Sequence, residues 1–155
     1  MSGNTDHTAT LNRLLNLERF SLANYLQYAR PVVRPGDEAL REAVGQIARD
    51  QAECARRIAG AITRRKAGVQ PSRGFPAKYT AYNDLDIRYL LGRLLEDEER
   101  IVREVWECLG ELRGDPEAEG LAAEVLDSEQ AHLKELVALR GTARPIPAAG
   151  LARAA

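Results

Sequence analysis

Apolar residues recur at three- and four-residue spacing in four separate stretches of the chain, and that period predicts four amphipathic helices. The first runs from about Thr8 to Arg30, with Leu11, Leu14, Leu15, Leu22, Tyr25, Leu26 and Ala29 on one side and Glu18 inside the stripe. Pro31 and the Arg34-Pro35-Gly36 group end it in a tight hairpin, after which Asp37 is placed to cap a second helix reaching about Ala67. The apolar face of that helix carries Leu40, Val44, Ile47, Ala48, Ala55, Ile58 and Ile62. Gln51 occupies its centre and Cys54 lies one turn on, whereas Asp50 and Glu53 are expected to project away.

Residues 68–82 have no periodicity and are rich in Gly, Pro and aromatics. Fifteen or so extended residues span about 50 Å, enough to run the ~45 Å length of a thirty-residue helix, so this segment reads as a crossover. Asn83 is expected to cap a third helix, with Asp86 in its first turn and a stripe of Leu90, Leu91, Leu94, Leu95, Ile101, Val102, Val105 and Leu109 whose mean direction passes through Glu98. Gly114-Asp115-Pro116 forms a second hairpin, with Asp115 as N-cap and Pro116 at the first helical position. The fourth helix, ending at Gly141, sets Glu129 near the centre of a face made by Leu121, Val125, Leu126, Leu133, Leu136 and Leu139, with His132 beside it. The expected fold is all-α: two helical hairpins joined by one long crossover, the up-down-down-up layout of a ferritin-like four-helix bundle. One domain is expected over residues 8–140, between a flexible N-terminus at 1–7 and a flexible tail at 141–155.

A carboxylate and an imidazole on a buried face cost several kcal/mol unless each finds a partner. Each of the four expected helices places polar groups at mid-length on its buried face: Glu18, then Gln51 and Cys54, then Glu98, then Glu129 and His132. Three inward carboxylates without a cation repel one another and stay partly protonated. Their convergence with one imidazole therefore points to a divalent metal ion, the competing reading being a core of ordinary hydrogen-bonded pairs.

At these residues the chain resembles bacterioferritin, within the wider ferritin-like family. The resemblance rests on Leu11-Asn12-Arg13-Leu14-Leu15 with Glu18, Tyr25 and Ala29-Arg30, and continues through Asp50, Ala55 and Arg57. It implies a two-iron site in which Glu18 and the Cys54 position serve one iron, Glu98 and His132 the other, and Gln51 and Glu129 stand at the bridging positions. It further implies Fe(II) oxidation by dioxygen, with Glu98, Glu129 and His132 as the reactive group. Three residues depart from the family pattern. Ala52 replaces the haem-ligating methionine and the only Met is Met1, so no haem is expected. Gln51 replaces a bridging carboxylate and Cys54 a histidine ligand, which weakens the two-metal state. Glu98, Glu129 and His132 remain a complete set for Fe(II) or Mn(II). A Cys54 thiolate reaching the same ion would favour tetrahedral zinc instead.

Composition narrows the setting without changing this picture. A chain of 155 residues with 45% apolar and 29% charged residues can build one sizeable core. A net charge of -1 gives no argument for nucleic acid, and Arg64-Arg65-Lys66 sits where cations suit a helix end. No signal-peptide pattern or membrane-length apolar run is present, so a cytoplasmic location is expected. Two cysteines, Cys54 and Cys108, lie at different heights and are not expected to pair. Leu17, Phe20 and Tyr28 on a second face of the first helix, with Trp106 at the edge of its stripe, suggest contact with further copies of the chain, a homodimer or a larger assembly. Tyr25 is read as core packing and His7 as exposed. A bundle without chemistry, serving as a structural or partner-binding module, is the alternative from another class.

Overall fold

The computed structural model describes residues 3–142. The expected flexibility of Met1, Ser2 and the tail from Ala143 falls outside the described residues. The first expected helix is two: α1 (Gly3–Arg19) and α2 (Leu22–Ala29). Ser21 is the cause. Its backbone is extended (φ -71°, ψ 161°) and its Oγ accepts the Asn24 N–H, so a side-chain cap replaces a turn of the backbone ladder. The interruption also frees the Leu22 N–H, which donates to Oδ2 of Asp97 at 2.8 Å.

Helix α3 spans Glu38–Arg64, α4 Ile87–Glu111 and α5 Pro116–Thr142. Both tight hairpins turn on a glycine at positive φ, Gly36 (98°) and Gly114 (90°), a conformation that other residues adopt only under strain. Asp115 caps α5 as expected, accepting the Ala118 N–H at 3.2 Å, with Pro116 opening the helix. Two other caps differ from expectation. Asp37 stands at the start of α3 but makes no side-chain cap bond; its carboxylate is taken by the Arg88 guanidinium, with Nε at 3.1 Å. The cap of α4 is Asp86, which accepts the Arg88 N–H at 2.9 Å, rather than Asn83. Asn83 instead follows a 3-10 turn at Ala77–Tyr82 inside the crossover, and its Oδ1 accepts the Tyr25 hydroxyl at 2.6 Å. The start of α4 is stitched to the loop after α2 by two backbone bonds of 2.9 Å, Val32 N–H to the Leu85 carbonyl and Ile87 N–H to the Val32 carbonyl.

The interior consists of two apolar halves. One is built around Leu11, Leu14, Leu15, Ile58, Ile62, Ile101, Val105, Leu112, Ala122 and Val125. The other holds Leu22, Leu26, Leu40, Val44, Ile47, Ile87, Leu90, Leu94 and Leu136. The order in which each helix passes through them gives its direction: α1 with α2 up, α3 down, α4 down and α5 up, with the crossover returning the chain from the Ile62 end to the Ile87 end. In each of the four legs of this bundle the polar mid-length residue falls between the two halves.

Surface expectations are corrected in part. Leu17 is buried, and Phe20 packs edge-on against Phe75 of the crossover with centroids 5.3 Å apart. Of that second face only Tyr28 is open to solvent, at 75% exposure; Trp106 is also exposed, at 64%. His7 is not free, since its Nδ1 lies 3.1 Å from Asp115 Oδ2. Cys54 and Cys108 are unpaired.

Candidate metal centre

Between the two apolar halves, Glu18, Gln51, Glu98, Glu129 and His132 are all buried. Helix α4 delivers Glu98, α5 delivers Glu129 and His132 one turn apart, and one ligand atom from each of these three lies within 4.8 Å of the others. His132 Nδ1 is 3.4 Å from Glu129 Oε2 and 3.8 Å from Glu98 Oε1. Glu18 adjoins Glu129 and Cys54 closely enough that both raise its affinity for a proton. Cys54 is half-buried and lies outside the three-ligand group.

The remaining contacts come from residues that the sequence pattern did not single out. His132 Nε2 is 2.9 Å from Oδ2 of Asp50, a residue expected to point away. A ligand-like imidazole needs an acceptor for its second nitrogen, and Asp50 is the acid beside the buried Gln51 on the facing helix, which is the signal that could have found it. Gln51 is also more tied down than a helical projection implies. Its Oε1 accepts Ser21 Oγ at 2.6 Å and Asn24 Nδ2 at 3.0 Å, while its Nε2 donates toward both Glu129 oxygens at 3.2 Å. An uninterrupted first helix would not bring Ser21 into this position as a cap, so the reading of one continuous helix hid both donors. Asp97, next to Glu98, gathers the Leu22 N–H, the Tyr79 hydroxyl and Arg100, tying the helix break and the crossover to α4.

Three buried oxygens of this site have no hydrogen-bond partner among the described residues: both of Glu18 and Oε1 of Glu98. Orphaned acceptors in a dry interior are costly, and a proton or a cation is what can relieve them. Burial first, then the charge of Glu129, pushes the Glu18 carboxyl well above the usual carboxylate range. Burial and the hydrogen bond with Glu129 do the same for Glu98. For Glu129 burial acts in that direction too, but its contacts with Glu98 and His132 outweigh it and hold the group below its ordinary value. Burial favours neutral His132, yet Glu129 and Asp50 overcome it and raise its affinity for a proton. Burial pushes the Cys54 thiol up to about 11, so it is no thiolate by itself at neutral pH. Two carboxylates and an imidazole facing orphaned acceptors fit a divalent ion of the iron, manganese or zinc kind.

A family model for the ferritin-like domain of ferritin matches residues 8–145. The chain belongs to the ferritin-like family. No curated protein matches it in sequence. For a ferritin-like chain the four-helix core, the long crossover and a carboxylate cluster on the inner helix faces form one arrangement, and a Glu-x-x-His pair such as Glu129 and His132 is characteristic of metal-binding helices in such bundles. No helix among the described residues is long and apolar enough to cross a membrane.

Proposed function

We propose that this ferritin-like chain is a metal-binding protein similar to bacterioferritin, with a degenerate di-iron site in which Glu98, Glu129 and His132 hold a divalent ion, iron foremost. The orphaned carboxylate oxygens of Glu18 and Glu98 carry this reading, since a shared cation would relieve buried acceptors that the fold itself leaves unanswered. Bound iron supplies one-electron chemistry with dioxygen, so the proposed activity is oxidation of Fe(II) as substrate. The protein's own part is positional. Glu129 is kept ionised, Asp50 accepts the outer N–H of His132 so that the inner nitrogen faces the carboxylates, and the two apolar halves exclude bulk water. Glu18 would give up its proton to a cation at the weaker, second position, beside Gln51 and Cys54.

Metal content after purification, together with aerobic Fe(II) oxidation by wild type and the Glu129→Ala/His132→Ala variant, tests the proposal. Stoichiometric metal and loss of oxidation in the variant are expected. No retained metal and equal rates would overturn it. The Gln51–Glu129 and His132–Asp50 bonds favour a second reading, a bundle that keeps its polar layer for structure or partner binding alone. A rise in thermal midpoint with added Fe(II) would rule against that reading, because only a ligand of the folded state raises it. A zinc site recruiting Cys54 is distinguished by its loss in Cys54→Ser. We place the protein in the cytoplasm and infer self-association through exposed Tyr28, Tyr89 and Trp106, which a sizing column tests.

A further inference from the structure

The orientation of the Gln51 amide is decided by a group that cannot change its role. The Glu18 backbone carbonyl only accepts, and Asn24 Nδ2 lies 2.8 Å from it, so that atom of Asn24 is the amide nitrogen. The same nitrogen is 3.0 Å from Gln51 Oε1, which must therefore be the oxygen. Ser21 Oγ accepts the Asn24 N–H at 3.1 Å, leaving its own proton for Gln51 Oε1 at 2.6 Å. With its oxygen engaged by two donors, Gln51 has only N–H groups to turn toward Glu129, and it turns them toward both carboxylate oxygens. Ser21, Gln51 and Glu129 are all fully buried, so no water competes for these positions.

We propose that the Ser21–Asn24–Gln51 relay makes this a single-ion centre, in which the Gln51 amide hydrogens stand where a second cation would share Glu129. The inference rests on the metal-binding reading above and specifies its stoichiometry. Two consequences of the geometry support it. The Gln51 oxygen is unavailable as a ligand while Ser21 and Asn24 hold it, and the amide hydrogens carry partial positive charge toward the carboxylate that two ions would have to share. On the side of Glu129 facing His132 and Glu98 three ligand atoms converge, with His132 Nδ1 3.4 Å from Glu129 Oε2 and 3.8 Å from Glu98 Oε1, and these are the ligands left for one ion.

Mn(II) is a suitable probe because it resists oxidation by air and its paramagnetic resonance separates isolated ions from exchange-coupled pairs. Equilibrium dialysis of the full chain against Mn(II), with spectra of the loaded protein, is expected to give one ion per chain and an isolated-ion pattern. Gln51→Glu is expected to double the stoichiometry and introduce a coupled-pair signal. Two ions in the wild type would overturn the single-ion assignment, and one in a folded Gln51→Glu variant would overturn its attribution to the relay, while either result leaves metal binding in place. Absence of any bound Mn(II) would instead remove the metal-binding reading itself, and this inference with it. The wild-type count decides the matter even if the variant fails to fold.

Discussion

His132 presents Nε2 to Oδ2 of Asp50 at 2.9 Å while its Nδ1 faces Glu129 and Glu98, so the two nitrogens of one ring divide between the surface and the interior. Asp50 is the only part of this chain of contacts with substantial exposure, its side chain being 39% accessible. Asp50→Asn is expected to lower metal affinity by about 10- to 100-fold, since the outer partner of a ligating imidazole sets its tautomer and orientation. Calorimetric titration with Mn(II), alongside unchanged circular dichroism, checks this. An unaltered affinity would show that Asp50 serves only the fold.

The protonation of the site predicts opposite pH trends with and without metal. Glu18, Glu98 and His132 all bind protons more tightly in the folded chain than in the unfolded one. Wherever the native state holds more protons, stability falls as pH rises. Above the ordinary carboxylate range these groups should therefore make the metal-free protein less stable with increasing pH, through the raised values of the carboxyls and of His132. The same protons must leave when a cation enters, so metal affinity should rise over that window. Thermal midpoints from pH 5 to 8, measured with chelator and with excess Mn(II), are expected to converge at the acid end and separate at the alkaline end.

Ser21 combines two jobs, capping α2 and donating to Gln51. Ser21→Ala should cost about 1–3 kcal/mol, the range for leaving a buried acceptor short of a donor together with losing a cap. Urea denaturation measures it. A loss below a few tenths of a kcal/mol would mean that the helix break is held by packing of Phe20 against Phe75 rather than by the hydroxyl.

A separate acid sensitivity is built into the second hairpin. Asp115 receives Arg65, the Ala118 N–H and His7, and the hydrogen bond from Arg65 above all holds its carboxyl far below the usual range. A depressed native value contributes stability that is present above the unfolded value and is lost as pH falls through the native one. Asp115→Ala should cost about 0.5–2 kcal/mol at neutral pH through the lost cap, and the deficit should shrink as the wild type is acidified. Equilibrium unfolding of both proteins at neutral and acid pH is the check.

The bundle was legible because its determinants are local and repetitive. Leu11, Leu14 and Leu15, or Leu90, Leu91, Leu94 and Leu95, mark a buried face by spacing alone, and Asp115-Pro116 announces a helix start without reference to any other element. The same periodicity placed Glu18, Gln51, Glu98, Glu129 and His132 inward, and all five are buried. Asn83 misled because a 3-10 turn displaced the helix start by three residues, and a turn of that kind depends on Tyr79 and Tyr82 finding the interior.

Spacing along one helix specifies which way a side chain leaves its axis, and for this protein that was sufficient for the four legs of the bundle, their order and the depth of the polar layer, though not for the break between α1 and α2. It says nothing about how far a side chain reaches or which neighbour answers it. That Asp50 turns back to His132, that Ser21 interrupts a helix to hold Gln51, and that Glu18 is left without a donor were decided only when four helices met. Hydrogen-bond partners across a core are fixed by distances of a few tenths of an ångström between elements far apart in the chain, and no pattern within a single element encodes them.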